Sequence, residues 1–249
     1  MTIISLVGSK GGVGTSLVAT NLGTALAESV SVVLVDLHTG TGVNDLLLDS
    51  SADKSWGDLL PVLGELKPKH IELATSSHSS GLKLMRGPEN TVPVDQTDRL
   101  ARLIGALANH FEWCLVDLST GLTATNQSLF AISDAILLVT SADPPALRSA
   151  KRLLAALSPQ EADRVGLVLN QINRQHPSTA GQIADSLDVP LLISIPPDPR
   201  AVGYQIHFGR ACVLDRASSF GRAVRSLAAR LRKSVDRQMH VASKRRQSE

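Results

Sequence analysis

Aromatic residues are scarce in this chain. Phe, Trp and Tyr make up 3% of its 249 residues, so a core has to be built from Leu, Val, Ile and Ala. Cysteine is scarcer still. The two residues, Cys114 and Cys212, form no CxxC pair and belong to no His/Cys cluster, so neither a disulfide framework nor a Cys/His metal module is indicated. Cys114 lies in the apolar run WCLVDL and reads as a buried thiol. No apolar stretch reaches the roughly 18 residues needed to cross a bilayer. The amino terminus runs straight into a strand-like segment instead of a leader, and a soluble cytoplasmic protein is expected. Charge of one sign is lacking too. The net charge of +2 does not by itself imply a nucleic-acid partner, although basic residues gather between Arg216 and Arg246. Long linkers and repeats are absent from the sequence.

What is present is a 43% hydrophobic chain, long enough to bury a full core. Short apolar runs alternate with helical patterns. Strands are expected at Ile3–Val7, Val32–Asp36, Leu82–Gly87, Trp113–Asp117, Ala135–Thr140, Val165–Asn170 and Pro190–Ile195. Helices are expected at Ser16–Glu28, Asp95–His110, Thr125–Ile132 and Pro145–Leu157, between the strands Val165–Asn170 and Pro190–Ile195, and at Ser219–Val235. Continuous apolar strands separated by helices predict an α/β fold, a mostly parallel sheet with helices on both faces. One domain over residues 1–238 is expected, followed by a basic, disordered tail at 239–249. In such sheets ligands bind beyond the carboxyl ends of the strands.

The segment Gly8–Ser16 reads GSKGGVGTS, between a strand and a helix. That order is the context of a phosphate-binding loop. Glycines let the backbone approach a phosphate, and the N–H groups at the helix start point at it. Gly11, Gly12, Val13, Gly14, Thr15 and Ser16 are therefore the expected phosphate-binding residues, with Ser16 placed to bind Mg²⁺. A plain glycine turn is the alternative. Asp36 and Asp117 end two buried strands. Each is either a solvated turn residue or, beside a phosphate loop, an acid that orients Mg²⁺ and its waters.

GSKGGVGTS resembles the deviant Walker motif of the MinD/ParA superfamily, KGGxGK[ST]. The resemblance covers roughly Ile3 to Leu231 and implies a P-loop NTPase fold of the SIMIBI type. It places Lys10 where the family has its signature lysine, which reaches the partner's phosphates in an ATP-dependent homodimer. The family's second lysine is Thr15 here, which removes a positive charge beside the β- and γ-phosphates. Asp36 matches the first acid of a DxD-like switch, and the second, which positions the attacking water, is His38. A neutral imidazole can still accept a proton. Asp117 opens DLSTG, similar to the family's DxPxG with Ser119 in place of proline. Weak nucleotide affinity and slow hydrolysis are the expected results.

SADPPALRSAKRLL (Ser141–Leu154) and LKLMRGPENT resemble the CpaE/TadZ branch, whose members localise pilus-assembly machinery. VLNQINR and IPPDPRAV resemble the family's adenine-side loops. That likeness gives Asn170 a contact with the base edge and lines its pocket with Pro197 and Asp198, although Asn after a strand is also a common turn residue. Val224, Leu227, Leu231 and Val235 share one face of the last helical segment. The face suits either core packing or a MinD-like membrane surface helix. Three functions stay open at this level: a switched ATPase that positions a pilus, secretion or other machine, a non-catalytic scaffold of the same fold, and a factor acting on membrane or DNA. The expected location is cytoplasmic, or peripheral at the inner face of the membrane or at a cell pole.

Overall fold

The computed structural model describes residues 2–90, 97–173 and 175–246, with side chains up to residue 235. Strand β1 (Thr2–Gly8) leads through the glycine loop into α1 (Thr15–Ala27), and β2 (Val32–Asp36) follows. A connection of short pieces comes next: α2 (Asn44–Leu47), α3 (Trp56–Leu59), α4 (Pro68–Leu73) and β3 (Ser76–Ser77). From β4 (Lys83–Met85) the alternation is regular. It runs through α5 (Thr97–Leu107), β5 (Trp113–Leu118), α6 (Ala124–Ile132), β6 (Ala135–Thr140) and α7 (Pro144–Leu154). The carboxyl-terminal part holds α8 (Pro159–Ala162), β7 (Val165–Leu169), α9 (Ala180–Leu187), β8 (Leu191–Ser194), α10 (Pro199–Phe208) and α11 (Ser219–Arg246).

The eight strands form one sheet in the order β3-β4-β2-β5-β1-β6-β7-β8. Every neighbouring pair is parallel except β3 with β4. Strands β1, β2, β5 and β7 are buried at every position, as expected where helices cover both faces. Side chains alternate across the sheet. Val33 and Val35 of β2 join Leu103 and Phe130 on one face, whereas Val32 and Leu34 join Leu22 and Leu26 on the other. The register sets Asp36 directly beside Asp117, so two acids emerge together at the carboxyl edge of the sheet.

The last helix decides between two readings of its apolar face. Val224 and Leu227 are fully buried and Leu231 nearly so, in the same core as α1 residues Val18 and Leu22. Val235 packs against that core from its edge. This stretch is a packing helix, and the membrane-surface reading of these four residues is corrected. The helix also runs on to Arg246, past Val235 and past the expected boundary at 238/239. Asp95, the expected start of α5, lies outside the described residues. Among the described residues no helix is long and apolar enough to cross a membrane.

Candidate nucleotide-binding site

The glycine loop is anchored at its entry. Ser9 N donates to the Val139 carbonyl at 2.9 Å, and its hydroxyl meets that of Thr140 at 2.8 Å. The loop then turns through positive φ at Gly12 (81°) and Gly14 (89°). Gly14 has no alternative. A Cβ there would stand 2.5 Å from Asn170 Nδ2, on a backbone that L side chains rarely adopt. Helix α1 starts without a side-chain cap. Among the described residues, the backbone N–H groups of Gly14, Thr15 and Ser16 have no hydrogen-bond partner. The free donors of a first helical turn form a ready site for an anion.

Thr15 is buried and folds back under the loop; a Cβ on Gly8 would come within 2.5 Å of its hydroxyl. Lys10 is half-exposed, and its Nζ pairs with Asp143 Oδ1 at 3.1 Å. Asp143 also caps α7, accepting from Ala146 N. The Ser141 hydroxyl, above all, and the Lys10 ammonium hold its carboxyl below the usual carboxylate value.

Asp36, His38 and Asp117 converge beside the loop. His38 Nδ1 lies 2.8 Å from Asp36 Oδ1 and 3.8 Å from Asp117 Oδ2. Burial and the neighbouring Asp36 charge push the Asp117 carboxyl up to about 6, against the opposing pull of His38, the Ser16 hydroxyl and the Asn44 amide. His38 is raised above 6.5, chiefly by its hydrogen bond to Asp36 and then by the charges of Asp117 and Asp36, although burial works the other way. Asp117 Oδ1 is buried and has no hydrogen-bond partner. An orphaned acceptor facing the start of α1 fits a divalent cation held between Ser16 and the two acids.

A second cleft, of about 380 Å³, opens where α1 meets the carboxyl ends of β7 and β8. Leu17, Asn170, Pro197, Asp198, Val202 and Phe220 line it. Pro197 and Asp198 therefore stand where a pocket was expected. The functional groups of the two polar residues, however, are engaged in the fold. Asn170 Nδ2 donates to the Val13 carbonyl at 2.8 Å, and its Oδ1 accepts from Gln171 N. Asp198 Oδ1 caps α10 through Ala201 N. Its Oδ2 accepts from Ser218 Oγ, Ser219 N and Phe220 N at the start of α11.

Three residues that the sequence reading passed over support the site. Asn44, fully buried, donates from Nδ2 to Asp117 Oδ2 at 2.9 Å. Trp56 Nε1 donates to the Asp36 carbonyl at 2.8 Å and so pins the end of β2. Gln205, also fully buried, accepts from Asn21 Nδ2 and Cys212 N and donates to the Leu47 carbonyl, tying α1, α2 and α10 together. Nothing marks Asn44 or Gln205 in the sequence. Helix α10 was not among the expected helices, although Asp198-Pro199, an N-cap followed by proline at the first helical position, is a signal that marks its start.

Residues 4–204 match the model of the CobQ/CobB/MinD/ParA nucleotide binding domain. The chain belongs to this family. It is similar to the septum site-determining protein MinD of Synechocystis, 26% identical over 237 residues, covering 92% of this chain and 88% of that one. Among solved structures, a ParA family ATPase from Chlorobium tepidum superposes with a TM-score of 0.83 over 92% of this chain and 98% of its own, at 20% identity. The MinD protein of Pyrococcus horikoshii, solved in complex with Mg-ADP, gives 0.78 over 94% and 97%, at 25% identity. The fold is that of the MinD/ParA P-loop NTPases, as expected from the sequence.

Proposed function

We propose that this chain is an ATP-binding, nucleotide-switched dimer of the MinD/ParA type that hydrolyses ATP slowly and positions a pilus, secretion or other cellular machine. The observation that carries the reading is the open first turn of α1. The N–H groups of Gly14, Thr15 and Ser16 have no partner in the fold, and they stand beside a buried acid pair. In this reading Gly11 to Ser16 cradle the phosphates and the cleft at Pro197 takes the base. Asn170 serves chiefly by holding the loop through Val13. Ser16, Asp36 and Asp117 hold Mg²⁺, which neutralises charge on the phosphates when bound.

Lys10 acts across the dimer, and to do so it has to leave Asp143, 3.1 Å away. An exposed pair of this kind contributes little, on the order of 0–1 kcal/mol, so phosphate can displace it. ATP should raise the dimer fraction in light scattering, and Lys10→Ala should abolish that rise. A mass that stays monomeric at saturating ATP contradicts the sandwich dimer.

The second reading, a scaffold that binds nucleotide without hydrolysing it, is favoured by Thr15 and His38. No detectable turnover over hours would select it. The CpaE/TadZ branch rests on Ser141–Leu154 and the LKLMRGPENT segment. Docking of the chain on membrane or DNA falls to the basic end of α11, since its apolar face as far as Leu231 is used in the core.

A further inference from the structure

The cluster at the end of β2 and β5 differs from an all-oxygen magnesium site in one respect: its third member is an imidazole. We propose that Asp36, His38 and Asp117 form a binding site for a zinc-class transition-metal cation, and that the site fills without nucleotide. The proposal deepens the metal reading of this site, since two of the three residues are shared with it.

The spacing suits a common ion. One donor atom from each side chain lies within 4.8 Å of the others, with His38 Nδ1 2.8 Å from Asp36 Oδ1 and 3.8 Å from Asp117 Oδ2. Donors each about 2.1 Å from a shared zinc ion stand about 3.4 Å apart at tetrahedral angles. The two distances from His38 Nδ1 bracket that value. Independently of this spacing, Asp117 is fully buried and its Oδ1 has no hydrogen-bond partner. A carboxylate oxygen withdrawn from water with no donor calls for a cation.

The outer shell is built as well. Asn44 Nδ2 donates to Asp117 Oδ2, and the N–H groups of His38 and Asn44 reach Asp36 Oδ1 and Oδ2. Such contacts fix carboxylates in the orientation a metal needs. A polar hollow of about 150 Å³, lined by Asp36, His38 and Asp45, opens onto the cluster and gives an ion access. Magnesium prefers six oxygens and keeps its waters, whereas imidazole suits zinc and related ions. Three protein donors leave at least one position for water or a phosphate oxygen.

The test uses the native chain, stripped with a chelator and free of nucleotide. It is titrated with Zn²⁺ by calorimetry and with Co²⁺ by visible absorption. One ion per chain is expected, at micromolar affinity or tighter, with Co²⁺ bands of a nitrogen- and oxygen-ligated site. His38→Gln, at a half-buried position, should fold and weaken binding at least tenfold. Asp36→Asn, measured in the same way, should weaken it as well. Absence of saturable binding up to millimolar ion, or equal affinity in His38→Gln, overturns the proposal. Mg-ATP binding by the zinc-free native chain, measured in parallel, reports on the nucleotide reading separately.

Discussion

At the scale of single residues, the proposed function turns on two positions. Thr15 keeps a small hydroxyl close to Gly8 where the family motif has a lysine, so in the proposed reading the phosphates rest on backbone donors and Ser16. His38 points its Nδ1 at two carboxylates, 2.8 Å from Asp36 Oδ1 and 3.8 Å from Asp117 Oδ2. It also lacks the fixed negative charge of an acid. Positioning and electrostatic terms carry most of phosphoryl transfer, and loss of one commonly costs about 10²–10³-fold in rate. Thr15→Lys combined with His38→Asp should therefore raise kcat for ATP by one order of magnitude or more over the native chain. Equal turnover in the two proteins would assign the positioning elsewhere, with Asp45 in the same hollow the first candidate. The loop was legible in GSKGGVGTS, and so were the acids at Asp36 and Asp117. Their meeting was not. It depends on β2 lying next to β5 in register, a pairing between residues far apart in the chain that no local pattern encodes.

At the scale of elements, the long alternating segments could be read from apolar periodicity, and β2 and β6 fall at the expected residues. The connection from Asn44 to Ser77 could not. Its helices are four to six residues long, too short to carry a 3.6-residue period, and tertiary contacts such as Trp56 to Asp36 hold them. Two predictions belong here. Leu227→Ala removes a fully buried side chain between α11 and α1 and should cost about 2–5 kcal/mol in urea unfolding. A loss below 0.5 kcal/mol would return that face to a surface role. Asp198 joins the start of α10 to the start of α11. Burial alone would raise its pKa, but the Ser218 hydroxyl and the N–H groups of Ala201, Phe220 and Ser219 hold it below 3.8. A lowered carboxyl adds stability that is complete above its unfolded value and is lost as pH falls through its folded value. Asp198→Ala should thus destabilise by about 1–2 kcal/mol at pH 7, as for a lost helix cap, and the gap to native should narrow below pH 3.8. A gap that stays constant with pH would assign the effect to packing instead of charge.

At the scale of the whole molecule, the parallel sheet brings the anion-binding turn, the acid pair and the cleft at Pro197 to one edge, where the two halves of the strand order diverge from β1 and β5. Buried polar residues brace that edge. Gln205 ties α2, which lies beside the acids, to both α1 and α10. Lys10 is held by Asp143, 3.1 Å away, and the proposed dimer requires its release. All of this depends on nucleotide entering the loop. Calorimetric titration of the native chain with ATP in excess Mg²⁺ is the most direct measurement. Saturable binding of one nucleotide per chain is expected, with affinity weakened at least tenfold by Ser16→Ala. Absence of binding at millimolar ATP, or binding that Ser16→Ala leaves unchanged, would contradict the account.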